Sequence, residues 1–292
     1  MANKSASTSL ATTVNVADAL WNAGSSKGMH FNWEAGNDWL QQMIVGCKAP
    51  SLRLATMLNS NQLISCASDI CREVNEFLAN NGFPDVQLMD GGSRGMFYMA
   101  SILKLLGSFF MMGKSGYELP EIGKPAFRLG SGSGVRQGCA ANGQIVVQIP
   151  TNGNFDLWVT RPTGVVGFNM VTDWAEILEG IETTWIGGVI LPMASIDSMP
   201  IDVTGLVGMR SGGWQIGEAK MAAKFSLTPD MVKFESAFAC SAKRCMASVT
   251  LPEEGDYLAD HPLYFALAIR DMPWPLAVGI VDVPDLADEE VN

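Results

Sequence analysis

Histidine is almost missing from this chain: among 292 residues only His30 and His261 carry an imidazole. The two stand far apart, and the six cysteines (Cys47, Cys66, Cys71, Cys139, Cys240 and Cys245) form no C-x-x-C pair, so the ligand spacing of a zinc site is lacking. No metal and no cofactor is expected. A Ser-His or Cys-His nucleophile would have to use one of those two imidazoles, and no G-x-S-x-G elbow occurs. His261 runs straight into Pro262 within a strand-like stretch, which reads as a structural position, and the chain is not expected to be an enzyme.

Basic residues are also scarce. Nineteen Lys and Arg face 30 Asp and Glu, and the formal net charge of −11 sets the field against phosphate backbones, which excludes nucleic acid as a partner. The longest apolar run, 96–112, falls short of the ~20 residues that cross a bilayer and contains Lys104 and Gly107, so the chain is not expected to span a membrane. Residues 1–7 carry no apolar signal core, which predicts an intracellular, cytoplasmic protein with reduced thiols.

What is present is apolar. Hydrophobic residues at 48% against charged residues at 17% are enough to build one large core. Residues 1–13 read as a loose tail, 14–285 as one domain, and 286–292 as an acidic tail. Ile70, Cys71, Val74, Phe77 and Leu78 recur at helical spacing, predicting a helix over 68–81 with Ser68 as N-cap and Gly82 as the stop. A second helix is expected over 173–179, with Asp173 and Glu176 spaced as a capping box. Strand patterns dominate the rest: 144–149 and 155–159 about a Pro-Thr-Asn-Gly-Asn turn, then 184–191, 231–240, 245–251, 257–269 and 276–283. Helices early and strands late imply an α+β fold with large mixed or antiparallel sheets and a few flanking helices.

Gly130-Ser131-Gly132-Ser133-Gly134 is followed by Val-Arg-Gln-Gly and lacks the Lys-Ser or Lys-Thr of a phosphate loop, so a hairpin turn is expected there. The acids of Glu253-Glu254-Gly255-Asp256 read as a solvated connection, with Pro252, Glu253, Glu254, Gly255 and Asp256 as the candidate partner-binding loop. The 17 methionines are read as adaptable core fillers, with a Met-rich recognition surface as the alternative.

Tyr257-Leu258-Ala259-Asp260-His261-Pro262-Leu263-Tyr264-Phe265-Ala266-Leu267 resembles the C-terminal signature of the serpin family, with Leu263 where the family prefers Phe. Its motif residues here are Tyr257, Asp260, His261, Pro262, Tyr264 and Phe265. Residues 276–284 are similar to the family's closing hairpin strand, 16–21 to its early central strand, 99–107 to the next one, and 146–150 with 155–159 to the strand pair before the capping helix. Residues 189–192 with 206–209 resemble its later strand and helix end. The resemblance implies a single serpin-like domain. It departs from the family in two ways: the N-terminal helices have no counterpart ahead of Val16, and only 251–256 connect a strand ending near Thr250 to the motif, where inhibitory members carry a long bait loop. The resemblance therefore implies a trimmed, loop-less, non-inhibitory scaffold, a structural or protein-binding subunit inside a larger assembly. The alternatives are a protease inhibitor using the short 252–256 loop as a plug, and an unrecognised enzyme.

Overall fold

The computed structural model describes residues 7–90, 96–237 and 255–288. The first strand, β1 (Ser9–Ala11), is followed by α1 (Val14–Ala17), whose coil widens into a π turn over Asp18–Asn22. Val14, Ala17, Leu20 and Trp21 are buried at the spacing of one helix face. The strand expected at 16–21 is therefore a helix. Asp38 caps α2 (Trp39–Gly46), its carboxylate accepting from the Leu40 N–H at 2.8 Å, and α3 (Lys48–Ala55) follows after one residue.

Next come β2 (Leu63–Ser68) and α4 (Cys71–Asn80). The helix expected over 68–81 is present with a later start, because Ser68 closes β2. Its hydroxyl accepts from the Ile70 N–H at 3.1 Å and donates to Glu73 at 2.6 Å, so it steadies the helix start from the strand's end. The chain then runs through β3 (Tyr98–Ser108), β4 (Lys114–Leu119), β5 (Lys124–Gly130), β6 (Arg136–Cys139), β7 (Ile145–Pro150) and β8 (Phe155–Thr160) to α5 (Asn169–Leu178). It continues through β9 (Thr183–Trp185), β10 (Gly188–Pro192), β11 (Ala194–Ile201), β12 (Arg210–Ser211), β13 (Trp214–Gln215), β14 (Met221–Leu227) and β15 (Met231–Ser236). Last are β16 (Asp256–Leu258), β17 (Leu263–Ile269) and β18 (Ala277–Val281).

Three sheets carry the architecture, and a short β12–β13 ribbon lies beside them. The first is ordered β1-β18-β17-β8-β7-β6-β9, the second β16-β10-β5-β4, and the third β11-β14-β15-β3-β2. β16 pairs parallel with β10, and every other ladder among the described residues is antiparallel. All seven residues of β17 are buried, because one face of its sheet meets α5 and the other meets the five-stranded sheet. Close approach between sheets explains Gly107: a Cβ there would stand 2.7 Å from Thr151 Oγ1 and 3.0 Å from Phe155.

Several expectations shift. Ser9–Ala11 pairs with β18, and Leu286 is buried in a bridge to Ala194, although both were read as tail; apolar side chains beside an open sheet edge complete the core. Asp173 lies inside α5 and caps nothing, since the helix starts earlier, at Asn169. The glycine run forms a 3-10 turn over Ser131–Ser133 that carries the chain from one sheet to another and does not close a hairpin. The 184–191 stretch divides at Gly187 into β9 and β10, which belong to different sheets. The 231–240 strand ends at Ser236, and the strand expected at 245–251 lies outside the described residues. Residues 238–254, which hold that strand and most of the six-residue link ahead of the C-terminal motif, lie outside the described residues.

Candidate functional site

The C-terminal motif is a structural cluster. Burial holds His261 below the usual imidazole range, and its Nδ1–H donates to the Pro262 carbonyl at 2.8 Å while Nε2 accepts from the Tyr257 hydroxyl at 3.2 Å. Burial likewise pushes the Tyr257 phenol up to about 12, so it stays a donor. Asp260 accepts from Arg161 at 3.0 Å. Tyr264, fully buried on β17, donates to Asp173 at 2.6 Å and packs against Trp174 with ring centroids 5.1 Å apart. Phe265 points to the opposite side and stacks on Phe225 of β14 at 4.0 Å. One residue step along β17 therefore ties it to α5 and then to the five-stranded sheet.

Of the candidate loop, Pro252, Glu253 and Glu254 lie outside the described residues. Gly255 is exposed with φ +88°, a backbone conformation that suits glycine. Asp256 differs from the solvated acid expected of it. Its side chain is 1% exposed, and both carboxylate oxygens accept from Arg128, at 2.6 Å from Nε and 3.0 Å from Nη2. This bidentate pair pins the start of β16 to β5 across β10.

A second feature was not found from the sequence. Below Ser236, β15 stops, while β3 continues down through Tyr98–Ile102 and β14 through Met221–Ala222. Residues of those two strands, Tyr98–Ser101 and Met221, line a cavity of about 470 Å³ together with Ala237, the last described residue before 238–254. One wall is aromatic: Phe31 stacks on Trp33 at 5.0 Å, lies 5.8 Å from Phe97, and meets Trp214 edge-on at 5.9 Å. The β12–β13 ribbon, turning at Gly212-Gly213, carries Trp214 to the wall. Asn15 of α1 stands at the floor, donating from Nδ2 to Ser236 Oγ at 3.0 Å and more weakly to the Ser101 carbonyl at 3.5 Å, while its Oδ1 is buried without a hydrogen-bond partner. The alternating Phe31-Asn32-Trp33 was the one legible signal, and nothing in a single chain placed Trp214 or Phe97 opposite it.

Cys47, Cys66, Cys71 and Cys139 are free thiols, and burial pushes Cys47 up to about 11, so it is an inert core thiol. Cys240 and Cys245 lie outside the described residues. Among the described residues no group of three or more His, Cys, Asp or Glu is placed to hold a metal ion, and no helix is long and apolar enough to cross a membrane.

No protein-family model matches the chain, and no curated protein matches it in sequence. Solved structures match it in shape. A cleaved serpin 42Da aligns over 95% of this chain and 92% of its own at a TM-score of 0.58 and 11% identity. The fold is serpin-like. The thermophilic serpin tengpin in its latent state aligns over 96% of this chain and 93% of its own, at a TM-score of 0.54 and 10% identity. Thyroxine-binding globulin in complex with thyroxine aligns over 97% and 94%, at 0.50 and 11%. At such identities the likeness is of fold alone, and serpin-like folds thus include chains titled as cleaved or latent serpins and one titled as a binding globulin. In this chain the C-terminal motif leads into β17, which pairs with β18, and the β7–β8 hairpin precedes α5.

Proposed function

We propose that this chain is a non-inhibitory serpin-like scaffold that works as a structural or protein-binding subunit and not as an enzyme. The position of β15 carries the reading. The chain leaves β14, turns at Thr228-Pro229-Asp230 and re-enters the same sheet, with Phe234 opposite Phe225 on one side and Leu105 on the other. In inhibitory serpins the bait segment waits outside the sheet, and its entry after cleavage supplies the stabilisation that traps the protease. Here Met231–Ser236 already lies between its neighbours, with Val232, Phe234 and Ser236 buried, so that stabilisation is spent before any protease arrives. Pro252–Asp256 is proposed as the partner-binding loop, held at its end by the Arg128–Asp256 pair.

Incubation of the intact chain with trypsin-like, chymotrypsin-like, elastase-like and papain-like proteases is the test. The expected result is no stoichiometric loss of protease activity and no complex that survives denaturing electrophoresis. Equimolar inhibition that disappears when residues 252–256 are replaced would overturn the reading in favour of an inhibitor.

A further inference from the structure

We infer that the tip between β3 and β4 (110–112) and Trp185 form a docking surface for an apolar segment of a partner protein that carries a carboxylate. The inference rests on the protein-binding reading above and gives that partner a chemistry. Phe110, Met111, Met112 and Trp185 are each between 56% and 76% exposed. Two glycines of the run after β5 join them. Met111 lies so close over Gly132 that a Cβ there would stand 2.5 Å from its Sδ, and Pro150 and Trp185 lie against Gly134. The tip is anchored at both ends. Phe109 is buried against Phe127 and donates its N–H to the Asp230 carbonyl at 2.9 Å, while the Gly113 N–H donates to the Pro229 carbonyl at 2.6 Å. With its flanks fixed, the three side chains between them are held out to solvent, which is how an apolar contact surface is presented at low ordering cost. Methionine suits such a surface because its flexible thioether adapts to what it meets.

Charge selects the occupant. The Arg136 guanidinium stacks on the Trp185 ring at 4.2 Å, and Lys114, next after Gly113, stands over the Tyr117 ring; neither makes an ion pair with a described residue. The acids beside the surface are committed. Asp230, in the turn that holds the tip, accepts from Thr228; Asp156, opposite Pro150, accepts from Arg270 and Gln148; and Asp256, opposite Gly188, accepts from Arg128. Two cations are thus left unmatched at one place on a chain whose net charge is −11. A carboxylate set on Arg136 gains a charge-assisted hydrogen bond and leaves the Trp185 stack intact. A second copy of the chain fits poorly, because a two-fold contact would face Arg136 and Lys114 with the same two cations. An anionic lipid surface is repelled by the charge of the whole chain, whereas a single carboxylate meets the local cations.

The probes are three blocked peptides, each three repeats of Leu-Leu-Xaa-Ser with Glu, Gln or Lys as Xaa, titrated into the full chain and followed by the methyl resonances of Met111 and Met112. The expected result is saturable binding of one Glu peptide per chain, about threefold tighter than the Gln peptide, the discrimination of one ion pair at the edge of a contact. The Lys peptide should bind weakest, against the pull of the chain's net charge. Arg136→Gln should bring the Glu and Gln peptides level, and Met111→Ser with Met112→Ser should weaken all three by about tenfold or more. The wild-type order reads the charge even where a variant fails to fold. Failure to saturate, equal binding of the three peptides, tightest binding of the Lys peptide, or a titration that leaves Met111 and Met112 unmoved would each overturn the proposal. Binding to phosphatidylcholine vesicles, or a dimer in sedimentation, that the methionine variant abolishes would overturn it too, assigning the tip to a membrane or to a second copy. None of these failures touches the non-inhibitory reading, which the protease panel tests separately.

Discussion

Phe234→Ala separates a β15 that belongs to the sheet from one that waits outside it. Phe234 is fully buried, faces Phe225 and Leu105 across two ladders, and belongs to the core that also holds Phe265. Truncating a buried Phe to Ala costs about 3–5 kcal/mol, because the lost transfer free energy is joined by a cavity that the neighbours only partly close. At ~1.4 kcal/mol per factor of ten this raises the unfolded fraction roughly 100- to 4000-fold. The same change in a solvent-exposed loop alters stability by about 0.5 kcal/mol or less, so the two cases differ several-fold. Lys233→Ala is the internal control: its outward side chain is 44% exposed and pairs with Glu235 at 3.0 Å, and such a pair contributes at most about 1 kcal/mol. The assay is urea unfolding followed by tryptophan fluorescence, with the shift read from the midpoint at constant slope. A Phe234→Ala midpoint within about 0.5 kcal/mol of wild type would refute the reasoning and mean that Met231–Ser236 is not held in the sheet.

Asp256→Asn should destabilise the chain by about 1.5–3 kcal/mol in the same assay, because it weakens the charge-assisted hydrogen bonds from Arg128 to a carboxylate that is 1% exposed. Loss of less than about 1 kcal/mol would mean the pair is solvated like a surface bridge. The pH dependence centres on His261, which burial holds below the ordinary ~6.5 of an imidazole, with Arg161 and Asp260 as the facing charges and Tyr257 as the hydroxyl partner. The unfolded chain binds the proton first, so stability at this site is intact above about pH 7 and declines as the pH falls below about 6.5. The difference between wild type and His261→Gln should therefore shrink as the solution is acidified from pH 7 to pH 5, and a difference constant over that range would refute the assignment.

How much was legible in the sequence differs by element. The helix at α4 and the β7–β8 hairpin were readable because their signals are local: an apolar stripe at Val74 and Leu78, and a Thr-Asn-Gly-Asn turn between two apolar runs. The C-terminal motif was readable because its side chains are spent on contacts made within a few residues or along one strand, as the Tyr257–His261–Pro262 chain shows. Val16–Trp21 was misread, since apolar residues in so short a run satisfy strand and helix patterns alike, and only packing under β3 settles it as helix. Asp256 was misread because a carboxylate in an acidic turn shows nothing of the Arg128 that reaches it across β10. The sequence by itself determined an acidic, apolar-cored α+β chain with its closing strands in recognisable order. The tertiary structure alone decided that β15 lies between β14 and β3 and that Phe31, Trp33, Phe97, Trp214 and Asn15 surround one cavity, because those neighbours come from distant parts of the chain and meet only when the sheets close.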